Sequence, residues 1–148
     1  MKLVKIDKKP AFYYHRYGRI RFETFSIHHI SLKISDCFDC DKIVVKLFND
    51  PAQYQGYRAG TYEATMPING HPAWISKSDH AIWNIGNKWI IGSNSSFGTS
   101  FGGIFAQNDT ECPNEVSIWQ IHDGNDWINV PSSDVAIECF QLIGTLIT

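Results

Sequence analysis

The 148-residue chain has no long apolar run. Nowhere do about eighteen apolar residues follow one another, so no segment reads as a membrane-spanning helix. Helical periodicity is also missing, because no stretch repeats apolar residues at i, i+3, i+4 and i+7 over three turns. Charge of one sign is scarce. Thirteen Lys and Arg stand against fifteen Asp and Glu, for a net charge of −2, which excludes a broad electrostatic pull on nucleic acid or anionic lipid. Motifs for common chemistry are absent too: there is no G-x-S-x-G, P-loop, G-x-G-x-x-G or H-E-x-x-H. The opening MKLVKIDKKP lacks a signal-peptide apolar core. If Met1 is the true start, a cytoplasmic place is expected. Two sequons, Asn94-Ser95-Ser96 and Asn108-Asp109-Thr110, are candidate glycosylation sites and favour an extracellular place if a signal segment lies upstream.

What is present is β-rich and aromatic. Apolar residues make up 43% and aromatics 14%, with five Trp. Short runs of β-formers alternate with turn residues: Lys2–Ile6, Ala11–His15, Arg19–Ile27, Ile30–Ile34, Lys42–Phe48, Thr61–Thr65, Ala73–Ile75, Ala81–Ile85, Lys88–Gly92, Phe101–Phe105, Ser117–His122, Asp126–Val130 and Val135–Leu142. That spacing predicts an all-β fold, a small antiparallel sandwich or barrel. The expected organisation is a β-rich N-terminal segment (1–48), a linker (49–59, NDPAQYQGYRA) and a Trp-rich β domain (60–142). Ser93–Gly103 (SNSSFGTSFGG) reads as a long Gly/Ser-rich loop.

The Trp-rich part writes one phrase twice, IWNIGNKWI at Ile82–Ile90 and IWQIHDGNDWI at Ile118–Ile128. Gly86-Asn87 and Asp123-Gly124-Asn125 are hairpin signals, so two homologous Trp hairpins are expected. Register decides where the indoles point. A three-residue loop would pair Trp83 with Trp89 on one face, and a two-residue turn would set them on opposite faces. Asn87 and Asn125 both accept positive φ, which favours the paired register. A weaker echo links IDKKPAF (Ile6–Phe12) with INGHPAW (Ile68–Trp74), so the N-terminal segment reads as a degenerate or truncated copy of the later unit.

An ordered set of residues carries a resemblance: Gly60-Thr61-Tyr62-Glu63, Asn69-Gly70-His71-Pro72-Ala73-Trp74, Ala81-Ile82-Trp83, Lys88-Trp89-Ile90-Ile91-Gly92, Cys112-Pro113, Trp119, Gly124 and Trp127. It resembles a small β module with an "NGRPVY"-like phrase that recurs, often in tandem, in uncharacterised eukaryotic proteins. His71 stands where that family usually has Arg, and Trp74 where it usually has Tyr. The resemblance implies a fold unit and supplies no catalytic residue.

Cys37-Phe38-Asp39-Cys40 is a C-x-x-C, and Cys112 and Cys139 complete a set of four. A zinc site is weakly signalled, since Cys112 and Cys139 do not form a knuckle. A disulfide between Cys112 and Cys139 is the favoured specific reading, against four buried thiols. Glutamates at 23, 63, 111, 115 and 138 show no spacing that sets two at a hydrolytic separation. No metal or cofactor is expected. The expected function is non-enzymatic binding or scaffolding with a protein or carbohydrate partner, and Trp74, Trp83, Trp89, Trp119 and Trp127 are candidate ligand-stacking residues. The alternative is a metal-dependent or hydrolytic enzyme built on Cys, His and Glu.

Overall fold

A computed structural model describes residues 14–15, 18–19 and 37–140. Met1–Lys33 and Ile34–Thr148 are separate compact units. In the first, β1 (Tyr14–His15) pairs antiparallel with β2 (Gly18–Arg19). The expected strands Lys2–Ile6 and Ile30–Ile34, most of the two between them, and the Ile6–Phe12 echo lie outside the described residues.

The second unit is one antiparallel sheet of nine strands. In chain order they are β3 (Lys42–Leu47), β4 (Gly60–Ala64), β5 (Trp74–Ser76), β6 (His80–Asn84), β7 (Trp89–Ser93), β8 (Ile104–Ala106), β9 (Ile118–His122), β10 (Trp127–Pro131) and β11 (Val135–Phe140). Strands β3 to β10 follow as a meander, and β11 returns to pair with β3. β3 shows why the sequence makes a one-sided sheet. Ile43, Val45 and Leu47 point inward and are buried, while Lys42 and Lys46 point out.

Topology requires the sheet to curl. A flat nine-stranded sheet would hold its edges about 38 Å apart, at about 4.8 Å per strand. Only Ser132–Asp134 separate the β10 edge from the β11 edge, and such a link reaches about 14 Å. Backbone bonds show the closure directly. Ser132 N–H donates to Ser117 O beside β9 (3.0 Å), and Asp134 O accepts from Phe48 N–H beside β3 (2.9 Å). The segment β10–β11 therefore runs as one kinked strand that pairs first with β9 and then with β3. The architecture is a barrel-like sheet rather than a sandwich.

Two clusters fill and clothe it. Inside lie Ile43, Val45, Tyr62, Trp74, Ile82, Trp89, Ile91, Ile104, Trp119 and Ile121, among others. A second cluster of Ala73, Ala81, Trp83 and Ile90 lies on the outer face of β6–β7, under Ile68 and Phe97. The loop Ser93–Gly103 thus folds back as a cover on the outer wall. Its fit depends on missing Cβ atoms. A Cβ on Gly102 would collide with Ile90 Cγ2 and lie 3.0 Å from Ile91 O, and one on Gly92 would lie 2.7 Å from Trp83 Cη2. Gly102→Ala is expected to cost about 1–3 kcal/mol by overpacking, read as a lowered urea midpoint.

Both Trp-flanked segments are hairpins, but the register differs from the favoured one. Trp83 pairs with Ile90 and Asn84 with Trp89. The positive φ falls on Gly86 (+106°) and Gly124 (+104°), not on Asn87 or Asn125. Glycine occupies the first position of a two-residue turn, as in type II′ hairpins, so the two Trp of each phrase face opposite sides. The hairpins also close at opposite ends of the meander, β6–β7 at one and β9–β10 at the other. Residues equally far from the turn therefore face opposite sides of the sheet. Trp89 points inward, whereas Trp127, its equivalent counted from the turn, points out. The equivalence extends to local bonds: Gly86 N–H donates to Asn84 Oδ1 (2.7 Å) and Gly124 N–H to His122 Nδ1 (3.1 Å).

The expected linker 49–59 is no linker. It forms α1 (Asn49–Gln55) and a 3-10 turn (Gly56–Arg58), and it belongs to the barrel because β3, β4 and β11 share one sheet. Pro51, Gln55 and Arg58 are buried, and Gln55 Nε2 donates to His122 O on β9 at 2.8 Å. The segment plugs one end of the barrel, the helix end. At the other, the disulfide end, Cys37 bonds Cys112 and Cys40 bonds Cys139, each with Cα atoms 5.6 Å apart. The expected Cys112–Cys139 pair is thus corrected. The short turn Cys37–Asp39, followed directly by Cys40, sets the two cysteines against different elements, the β8–β9 link and β11.

Candidate functional site

Four of the five candidate Trp are removed from ligand contact by burial. Trp74, Trp83, Trp89 and Trp119 have no exposed surface. Three of these indoles donate Nε1–H to backbone carbonyls: Trp74 to Cys40 O (2.8 Å), Trp83 to Thr99 O (2.9 Å) and Trp89 to Thr110 O (2.9 Å). A buried indole needs such a partner, and each bond ties a strand to the loop above it. These residues hold the fold. Trp127 differs, being 44% exposed on the outer face of β10. Phe105 meets it in a T-shaped contact (centroids 4.7 Å) and His122 in another (5.2 Å). Lys88 Nζ lies 5.2 Å over the Phe105 ring.

Trp127 opens onto the helix end. The β3–β4, β5–β6, β7–β8 and β9–β10 links all lie there, since alternate turns of a meander share an end. Phe48, Tyr54, Tyr57, Phe101 and Trp127 are each more than a third exposed, and all five sit on these links or next to them. Phe140 on β11 is the other exposed aromatic ring among the described residues. A chain of contacts joins the helix end. Tyr57 packs on His80 (5.6 Å), and the Arg58 guanidinium lies 5.0 Å over the Tyr57 ring. Tyr57 OH and Arg58 Nε both donate to Gln55 Oε1, at 3.0 and 2.9 Å. Gln55 in turn holds the His122 backbone, and His122 packs on Trp127. Gly103 makes the crowding possible, because a Cβ there would collide with Gln55 Oε1 and lie 2.7 Å from Arg58 Nε.

Charge at this end is unusual. Arg58 is 9% exposed, and the ion pairs among the described residues, Lys42–Glu63 and Lys46–Glu138, leave it out. His80 sits 3.5 Å from Arg58 Nη1 through Nδ1. Burial, and then the Arg58 charge, hold the His80 pKa below its ordinary value, so near pH 7 it is neutral, and Nδ1 accepts. Burial raises the Tyr62 pKa far above the usual phenol range, which keeps its OH protonated to donate to Arg58 O at 2.6 Å. Asp123 is held below the usual carboxylate range by the backbone N–H groups of Asp126 and Asn125, so the β9–β10 turn stays negatively charged.

The other sequence candidates lie apart from this end or inside the fold. All four cysteines are in disulfides, so no thiol remains for zinc or for nucleophilic attack. Asn94 is exposed at the start of a 3-10 turn on the outer-wall cover. Asn108 is half-buried with its Oδ1 sealed from solvent, and its sequon threonine donates Oγ1–H to Cys112 O at 2.7 Å. The Asn69-Gly70 motif is a tight turn with positive φ at both residues (52° and 74°), and Asn69 Nδ2 ties it to Asn84 O (2.9 Å). His71 then packs edge-on against Trp89 at 5.6 Å. That phrase builds structure and places no reactive group on the surface.

Sequence reasoning missed Gln55, Tyr57, Arg58 and Phe101. A signal was there in NDPAQYQGYRAG: Pro near a helix start, helix-compatible Ala-Gln-Tyr-Gln, and two tyrosines in a supposed linker. No family model matches this chain, and no curated protein and no solved structure matches it either.

Proposed function

We propose that this barrel is a non-enzymatic binding module that takes a glycan at its helix end. One observation carries the reading: a chain of contacts joins the exposed rings of Tyr57 and Trp127 through Gln55 and the His122 backbone, with Arg58 and His80 beside it. Sugar rings suit such a surface. Their C–H faces carry slight positive charge and stack on the negative faces of aromatic rings, while hydroxyls accept hydrogen bonds from amide and guanidinium N–H groups and donate them to imidazole and carboxylate groups. Asp79, Asp123 and Asp126 on the rim offer further acceptors. The interior is occupied by Trp74, Trp89, Trp119 and Tyr62, which favours a ligand held on the end of the barrel over one carried inside it.

A glycan array followed by calorimetry tests this. Trp127→Ala is expected to weaken binding at least tenfold, in line with the loss of a stacking anchor. Its melting temperature should stay near that of the parent, since the ring is half outside the core. Binding that survives both Trp127→Ala and Tyr57→Ala would refute the reading. Failure to bind any glycan, with capture of a protein lost in Trp127→Ala, would move the assignment to a protein ligand.

A further inference from the structure

We infer that the ligand carries an acidic group, a carboxylate or sulfate, and that Arg58 receives it; the inference rests on the glycan reading above. Arg58 is nine-tenths buried and has no carboxylate within ion-pair distance among the described residues. A guanidinium has five N–H donors. Nε–H is spent on Gln55 Oε1, and one Nη1–H faces His80 Nδ1. Three remain without a described acceptor. The side chain is fixed from several sides, by Gln55, by the Tyr57 ring and by the bare Cα of Gly103. A buried, oriented guanidinium with three N–H groups that lack a described acceptor matches a planar carboxylate or a sulfate oxygen pair.

A purely supporting arginine is a poor account of this arrangement. Desolvating a cation without a counter-charge is costly, and Gln55 returns only a neutral partner. An incoming anion supplies the missing charge. Asp50, Asp79, Asp123 and Asp126 at the same end oppose an anion, and Lys77 offsets part of that. Charges at the surface are screened over about 8 Å at physiological salt, whereas a buried pair is screened far less. Contact at Arg58 therefore sets the preference, and long-range attraction does not.

The test compares matched sugars on the whole chain: a glucuronate-containing oligosaccharide, a sulfated one, and a neutral oligosaccharide of equal length. The expected result is an acid-bearing sugar bound about tenfold or more tightly than the neutral one. Arg58→Gln should erase that difference, and Arg58→Lys should keep part of it. Equal affinities in the parent protein, or a preference that survives Arg58→Gln, would overturn the inference. Inorganic sulfate separates this claim from the glycan reading. Sulfate should shift the Arg58 Nε–H resonance even if no sugar binds, and an unmoved resonance would count against the anion site whatever the sugars do. Should Arg58→Gln fail to fold, the parent's sugar preference and its sulfate response still decide the matter.

Discussion

Removing both disulfides is expected to unfold the barrel under conditions where the crosslinked protein is stable. The two bonds close long loops, with partners 75 and 99 residues apart. In the chain-entropy model each such loop is worth about 4–5 kcal/mol. The loops overlap, so the second bond adds less than the first. Even so, the combined loss approaches the whole stability of a small domain, about 5–15 kcal/mol. The strap that carries Cys37 and Cys40 also holds other contacts in place: Ala64 N–H donates to Asp41 O (2.8 Å) and Trp74 Nε1–H to Cys40 O (2.8 Å). Urea titrations with and without reductant measure the effect. A single mild transition shift of less than about 1 kcal/mol on full reduction would contradict it. Peptide mapping without reductant should recover Cys37 with Cys112 and Cys40 with Cys139, and no Cys112–Cys139 peptide.

Trp74→Ala should be the most damaging single substitution in the sheet. The side chain has no exposed surface and packs against Trp89, with ring centroids 6.1 Å apart. Truncating a buried Trp costs about 3–5 kcal/mol. The Cys40 carbonyl would also lose its donor, which adds roughly 1–3 kcal/mol when the group stays buried. Trp74→Phe separates the two contributions, because it keeps most of the packing and loses the hydrogen bond. It should cost about 1–3 kcal/mol. Trp127→Ala, by contrast, should cost no more than about 1–2 kcal/mol, since the ring is half outside the core and gives up only its contacts with Phe105 and His122. Chemical denaturation of the three variants tests the ranking. Equal losses at Trp74 and Trp127 would show that burial does not divide the tryptophans as described.

The all-β fold was legible because inward Ile43, Val45 and Leu47 alternate with outward lysines, a pattern only a one-faced strand uses. Both Trp hairpins were legible from their Gly-Asn turns. Their register was not, because Gly and Asn each tolerate positive φ and the choice between them belongs to the folded turn. Nor could the text show that one phrase would point Trp89 inward and Trp127 outward. That follows from closing the hairpins at opposite ends of a meander, which is a property of the whole sheet. Cysteine pairing was hidden for a similar reason, since a C-x-x-C that straps an end of a barrel reaches two partners distant in sequence. The candidate site was legible only through Trp127. Arg58 and Tyr57 stood in a stretch whose Gly and Pro read as a linker, and only the crossing of the barrel end gives them a place.

The indole ¹H–¹⁵N spectrum during titration with the glucuronate oligosaccharide bears most directly on the claim that binding happens on the helix end of a filled barrel. The Trp127 resonance should move in step with saturation, while those of Trp74, Trp83, Trp89 and Trp119, all fully buried, stay where they are. Movement of the buried indoles with Trp127 unchanged would place the ligand inside the barrel and contradict the account.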